Sequence, residues 1–240
     1  MFKRKDIMKI RFQIFSLLAL SVFFTSCEKD NFTAPKSVLS GNVVYKGEPI
    51  GVEYDQVRLQ LWQPGFGKLA AIDAPVSQSG SYSAVLFDGN YKMVFPKGRG
   101  PFMTIQKDAS AKDTLYVKLA GNQQLDVEVL PYYMIRNVQF SGGENKVSVA
   151  LKLEKIITDV NAKAIERVSL YVNKTEFVAR ATNIVVTDIA GADIKDLNII
   201  SLTANVPAIM PTQTYVFARV GVKIKDVEDM VFSPVQKVQL

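Results

Sequence analysis

Beyond residue 37 the chain alternates between apolar and polar positions. Val57-Arg58-Leu59-Gln60-Leu61-Trp62 has the two-residue period of a half-buried strand. Leu115-Tyr116-Val117-Lys118-Leu119 and Leu125-Asp126-Val127-Glu128-Val129 repeat it. So do Val147 to Leu153 and Tyr215 to Val220. Turn-forming residues separate these runs: Lys46-Gly47-Glu48-Pro49, Pro64-Gly65, Ser79-Gly80, Asp88-Gly89-Asn90, Gly121-Asn122 and Ser141-Gly142-Gly143. Short strands with regular punctuation predict an all-β chain of antiparallel β-sandwiches. Helix is expected only as single turns, at 159–166 and 192–197.

A boundary is expected near Pro131, where one strand series ends and Pro131-Tyr132-Tyr133 opens another. It divides the chain into two antiparallel sandwich domains, 37–130 and 131–240, each of ordinary size for a small domain.

The first 26 residues have a different pattern. Lys3, Arg4, Lys5, Lys9 and Arg11 precede an apolar run from Ile14 to Phe24, followed by Thr25-Ser26-Cys27. This is the layout of a secretory signal, and the run is shorter than the roughly 20 residues of a spanning helix. Cys27, the only cysteine, stands at the expected cleavage point. Phe24-Thr25-Ser26-Cys27 resembles the lipobox of bacterial lipoproteins, which implies acylation of Cys27 and a lipid anchor. Glu28-Lys29-Asp30 resembles the signal that sends Bacteroidetes lipoproteins to the outer face of the outer membrane. Residues 27–36 then read as a polar tether.

Charge and composition narrow the function. The formal charge of +6 falls to +2 once residues 1–26 are set aside, because five Lys/Arg and one Asp lie there. No basic block remains to support nucleic-acid binding. Histidine is absent. That removes the commonest general base and the commonest transition-metal ligand. With Cys27 lipidated, a zinc site or a disulfide is not expected either. No cofactor is implied, no pair of carboxylates stands out for glycoside hydrolysis, and the expectation is a protein without enzymatic activity.

Two segments resemble known domains. Ser40-Gly41-Asn42-Val43-Val44-Tyr45-Lys46-Gly47-Glu48-Pro49-Ile50, Gly80-Ser81-Tyr82 and Asp88-Gly89-Asn90-Tyr91-Lys92-Met93 resemble the transthyretin-like (carboxypeptidase-regulatory-like) domain. Thr214 to Lys223, followed by Phe232 to Val238, resembles the last two strands of fibronectin type III and Ig-like domains. There Tyr215 would occupy a tyrosine corner and pin a loop. The whole order resembles an uncharacterised two-domain lipoprotein family of gut Bacteroidetes. The resemblance implies a glycan-utilisation setting, with an outer-membrane transporter and a glycan-binding lipoprotein as partners.

Trp62 is the sharpest candidate residue. It shares the polar face of its strand with Arg58 and Gln60, just before Pro64-Gly65-Phe66-Gly67. Trp62 and Phe66 would stack on the apolar face of a sugar, and Arg58 and Gln60 would bind its hydroxyls. The competing reading has Trp62 covering a sheet edge or packing on the second domain. The basic loop Pro96-Lys97-Gly98-Arg99-Gly100-Pro101-Phe102 reads as solvated, or as a contact for an acidic glycan or a partner protein. Asp188, Asp193 and Asp196, with Asn183 and Asn198, supply oxygen donors that could hold calcium, but their spacing fits no EF-hand and acids are common in loops. No metal is expected. The reading is an outer-membrane accessory that binds or presents glycan. The alternative is a structural or assembly protein, such as a fimbrial subunit or a docking module, which would need an exposed sheet edge.

Overall fold

The computed structural model describes residues 33–65, 68–105 and 113–240. The signal segment, Cys27 and Phe66 lie outside the described residues. Residues 35–240 form one compact unit. Among the described residues no helix is long and apolar enough to cross a membrane.

Among the described residues the first half contains ten strands: β1 (Ser37–Tyr45), β2 (Glu48–Pro49), β3 (Arg58–Trp62), β4 (Ala71–Pro75), β5 (Ser81–Leu86), β6 (Gly89–Val94), β7 (Phe102–Thr104), β8 (Leu115–Leu119), β9 (Gln123–Gln124) and β10 (Val127–Pro131). They build two sheets. One has the order β2-β1-β10-β7, with β5 and β9 also paired to β1; the other has the order β4-β3-β6-β8. The alternation seen in the sequence decides what lies between them. Leu59, Leu61, Met93, Val117 and Leu119 are all buried, each worth about 1.5–3 kcal/mol relative to exposure for side chains of this size. Tyr82 and Tyr91 are buried too, and each hydroxyl donates to a backbone carbonyl, Leu125 O at 2.6 Å and Phe87 O at 2.7 Å. Burial raises both phenols above their ordinary range.

Two pairings depart from a purely antiparallel sandwich. β1 runs parallel to both β9 and β10. The chain leaves this sheet for β6, rejoins it at β7, leaves again for β8, and after Gly121 returns in the direction of β1. The return crosses close to β1, where a Cβ on Gly41 would lie 1.9 Å from Leu125 O.

The second half holds β11 (Tyr133–Gly143), β12 (Lys146–Lys155), β13 (Ile165–Asn173), β14 (Val185–Ala190), β15 (Ile200–Asn205), β16 (Tyr215–Ile224), β17 (Val231–Phe232) and β18 (Gln236–Gln239). Its sheets are β11-β12-β15 and β14-β13-β16, with β17 and β18 both on β16. Both expected helical turns are reduced. Asp159 closes a turn by accepting from Asn161 N and Ala162 N, and Ile165 already begins β13. Of the second, Gly191–Asp193 forms a turn of 3-10 helix. The Ser141-Gly142-Gly143 signal is strand: the reversal falls at Glu144-Asn145, with φ of 52° and 57°. Those angles fit the twisted two-residue hairpin turn.

The halves meet through polar groups as well as apolar ones. Val216, Ala218, Val220 and Val222 face the core, so Arg219 faces the other way. It is nevertheless fully buried, its guanidinium donating to Val52 O, Gln78 O and Gln78 Oε1 of the first half and to Ser233 O of its own. The same group lies 4.4 Å from the centre of the Phe232 ring. Burial, opposed by the nearby Glu53, lowers its pKa to about 10. Glu53 itself, 6% exposed, pairs with Arg180 at 2.6 Å.

Candidate functional site

The outer face of the β4-β3-β6-β8 sheet is where the alternation leaves side chains without a covering layer. In β3, Leu59 and Leu61 point inward, and Arg58, Gln60 and Trp62 point outward. Antiparallel register then sets each row across the sheet. Trp62 stands opposite Ala71 on β4 and Lys92 on β6, and Lys92 stands opposite Tyr116 on β8. Trp62 is half-buried and Tyr116 is 69% exposed. One strand lies between the two rings, which puts their backbones about 10 Å apart at ordinary strand spacing.

The next row holds Asp73, Gln60 and Val94. Gln60 Nε2 donates to Asp73 at 3.3 Å, and Arg58 pairs with Asp73 at 3.4 Å and Asp55 at 3.0 Å. The charge of Asp55, with hydrogen bonds to Asp73 and Asp55, raises the Arg58 pKa above its ordinary value. The structure thus brings Trp62, Arg58 and Gln60 onto one face. Arg58 and Gln60 are tied to Asp73 at the β4 edge, which leaves fewer donors open to a ligand there. Sequence reasoning missed Tyr116 and Lys92. Both sit at polar-parity positions of readable strands, but nothing local shows that β8 and β3 flank β6.

The other candidates resolve differently. The loop after β6 is not simply solvated. Arg99 pairs with Glu228 at 2.7 Å and Gly100 N donates to Asp229 at 2.7 Å, so the loop clamps the second half. Asp196 accepts from Asn198 N and Nδ2, and Asn183 donates to Ala179 O and Arg180 O. These bonds close local turns, and among the described residues no group of three or more possible metal ligands gathers. Tyr215 does not act as a corner. Its ring lies 3.7 Å from Lys237 Nζ and edge-on to Phe217, and its hydroxyl makes no hydrogen bond among the described residues. A groove of about 910 Å³ lies between the halves. Tyr54 and Phe177 stand in it with ring centres 6.3 Å apart.

Two pairs of β-sheets, with no gathered metal ligands among the described residues and an open aromatic face on one sheet, define an all-β two-sandwich protein. The chain belongs to the DUF3823 family. The model of the N-terminal domain of this protein family of unknown function matches residues 37–130, and the C-terminal domain model, also of unknown function, matches 133–237. Neither model describes an enzyme. A DUF3823 family protein from Parabacteroides merdae is 30% identical, with a TM-score of 0.74 over 86% of this chain and 100% of that one. Another, from Bacteroides ovatus, is 28% identical with a TM-score of 0.73 over the same shares. A Bacteroides uniformis structure described as a "putative carbohydrate binding protein" shares the fold, at 15% identity and a TM-score of 0.65, over 86% of this chain and 100% of that one. No curated protein matches the chain.

Proposed function

We propose that this protein is a non-enzymatic accessory, lipid-anchored through Cys27 at the outer membrane, that binds glycan on the open face of the β4-β3-β6-β8 sheet. Its partners on this reading are a polysaccharide, an outer-membrane transporter and a glycan-binding lipoprotein. The observation that carries it is the pair of rings, Trp62 and Tyr116, on the outward side of one sheet with polar neighbours. A pyranose presents an apolar C–H face and an equatorial rim of hydroxyls. Aromatic planes take the first, and Arg58, Gln60, Asn90 and Lys92 lie where groups on the rim would be met. The B. uniformis protein supports the reading through its description and its shared fold.

The test is tryptophan fluorescence of the protein lacking residues 1–27, which retains the whole compact unit 35–240. Trp62 is the only tryptophan, so emission reports one site. Saturable quenching or a blue shift with a polysaccharide is expected, and Trp62→Ala or Tyr116→Ala should weaken retention in a polysaccharide-containing gel about tenfold. An emission unmoved across a broad panel of plant and host polysaccharides would remove the proposal.

The assembly reading has less to stand on. The closing strand β18 is already paired antiparallel with β16 from Tyr215↔Gln239 to Ala218↔Gln236. It is part of its own sheet rather than a strand held out for a neighbour.

A further inference from the structure

We infer that the glycan held on this face is anionic, its carboxylate or sulfate ester seated against Lys92 between the two rings. The inference rests on the glycan reading above and adds the class of sugar.

Lys92 is exposed and lies on β6, a central strand of its sheet. Its directly opposite neighbours are Trp62 and Tyr116. Its diagonal neighbours are Lys118 on β8 and Gln60 on β3. Along its own strand come Asn90 and Val94. None of these is acidic. Among the described residues the one carboxylate in the outward rows, Asp73, lies on the far edge strand and is taken by Arg58 and Gln60. Lys92 makes no ion pair among the described residues and does not stack over either ring. Lys118 adds a second ammonium, on the diagonal, about 7–8 Å away at the backbone.

Structural reasons for these charges differ between the two lysines. Lys118 stands on the edge strand β8, where a lysine discourages sheet-to-sheet pairing. Lys92 stands inside the sheet and protects no edge. An ammonium between two aromatic residues, with a second cation nearby and no counter-ion among the described residues, suits a sugar that brings its own negative charge. Stacking would orient the ring, and the charge-assisted bond to Lys92 would select the acidic sugar.

Matched probes test this: polygalacturonate against its fully methyl-esterified form, and dextran sulfate against dextran, each titrated into the protein lacking residues 1–27. At least one acidic polymer should quench Trp62 saturably, at an affinity about tenfold or more above its neutral counterpart, the worth of one charge-assisted hydrogen bond. The polymer that does so tells carboxylate from sulfate. Lys92→Gln should erase the preference without lowering the melting temperature, and added salt should weaken only the acidic member. Equal binding of acidic and neutral partners, unchanged in Lys92→Gln, would overturn the anionic assignment and leave the glycan reading standing. Full retention of acidic polymer by Trp62→Ala would also overturn it, by placing the contact elsewhere. Silence from all four polymers, together with the broad panel, would remove the glycan reading itself.

Discussion

At the scale of single residues, two buried polar groups carry unusual cost. Arg219 has no carboxylate among its hydrogen-bond partners, only carbonyl oxygens and an amide oxygen. Replacing it with methionine removes the charge and strands those acceptors in the junction. We expect Arg219→Met to lose about 3 kcal/mol or more in urea unfolding. Arg219→Lys should recover little, because one ammonium cannot reproduce the planar fork. Asp229 is 1% exposed, and its Oδ1 has no hydrogen-bond partner among the described residues. Burial raises its pKa, against the hydrogen bond from Gly100 and the charges of Arg99 and Arg180; Glu228 adds to the rise. A carboxyl whose folded pKa is raised stabilises the fold below its unfolded pKa and loses that contribution as pH rises through the folded value. Asp229→Asn keeps an acceptor for Gly100 N and carries no charge. Its stability should exceed that of the parent by roughly 1 kcal/mol at pH 7. The gap should close as pH falls toward the unfolded carboxylate value, followed by thermal melts across pH.

Among the elements, two glycines separate local from tertiary demands. Lys46-Gly47 turns β1 into β2 with φ of 51° and 78°, and nothing lies within 4 Å of a Cβ built on Gly47. Its need is conformational, and the sequence shows it as a turn. Gly142 is inside β11 with no unusual φ, and a Cβ there would lie 1.9 Å from Gln239 O of β18. Gly142→Ala must push β18 away and should cost at least about 1–3 kcal/mol, read as a lowered melting temperature. The Ser141-Gly142-Gly143 run reads as a turn because glycine usually marks one. Here the run marks a close approach between strands almost a hundred residues apart, which no local pattern encodes. The same holds for the basic loop after β6. Its composition matches a solvated loop, and only the positions of Glu228 and Asp229 make it a clamp.

For the molecule as a whole, the junction couples the halves. Arg219, Glu53–Arg180, Arg99–Glu228 and the Gly51–Phe232 bridge all cross it. Residues 35–240 should therefore unfold in a single calorimetric transition, with calorimetric and van 't Hoff enthalpies equal. Two resolved transitions would contradict that. The second half expressed alone should melt lower, since it would expose Arg219 and the cluster of Tyr171, Val178, Met230 and Phe232 beneath it.

Alternation along the chain marks β3, β8, β10, β12 and β16 and which side chains each turns outward. That side is a matter of parity, since successive residues of a strand face opposite ways. Trp62 was thus legible as an outward residue of β3. What tertiary structure alone decided is what stands beside each outward residue and what covers it. Register between β3, β6 and β8 brought Lys92 and Tyr116 into the row of Trp62. The packing of loops from both halves buried Arg219, whose position in β16 has the same outward parity. Parity is set by the bond geometry of neighbouring residues. Cover and register are set by contacts between segments far apart in the chain, and no short stretch of sequence contains them.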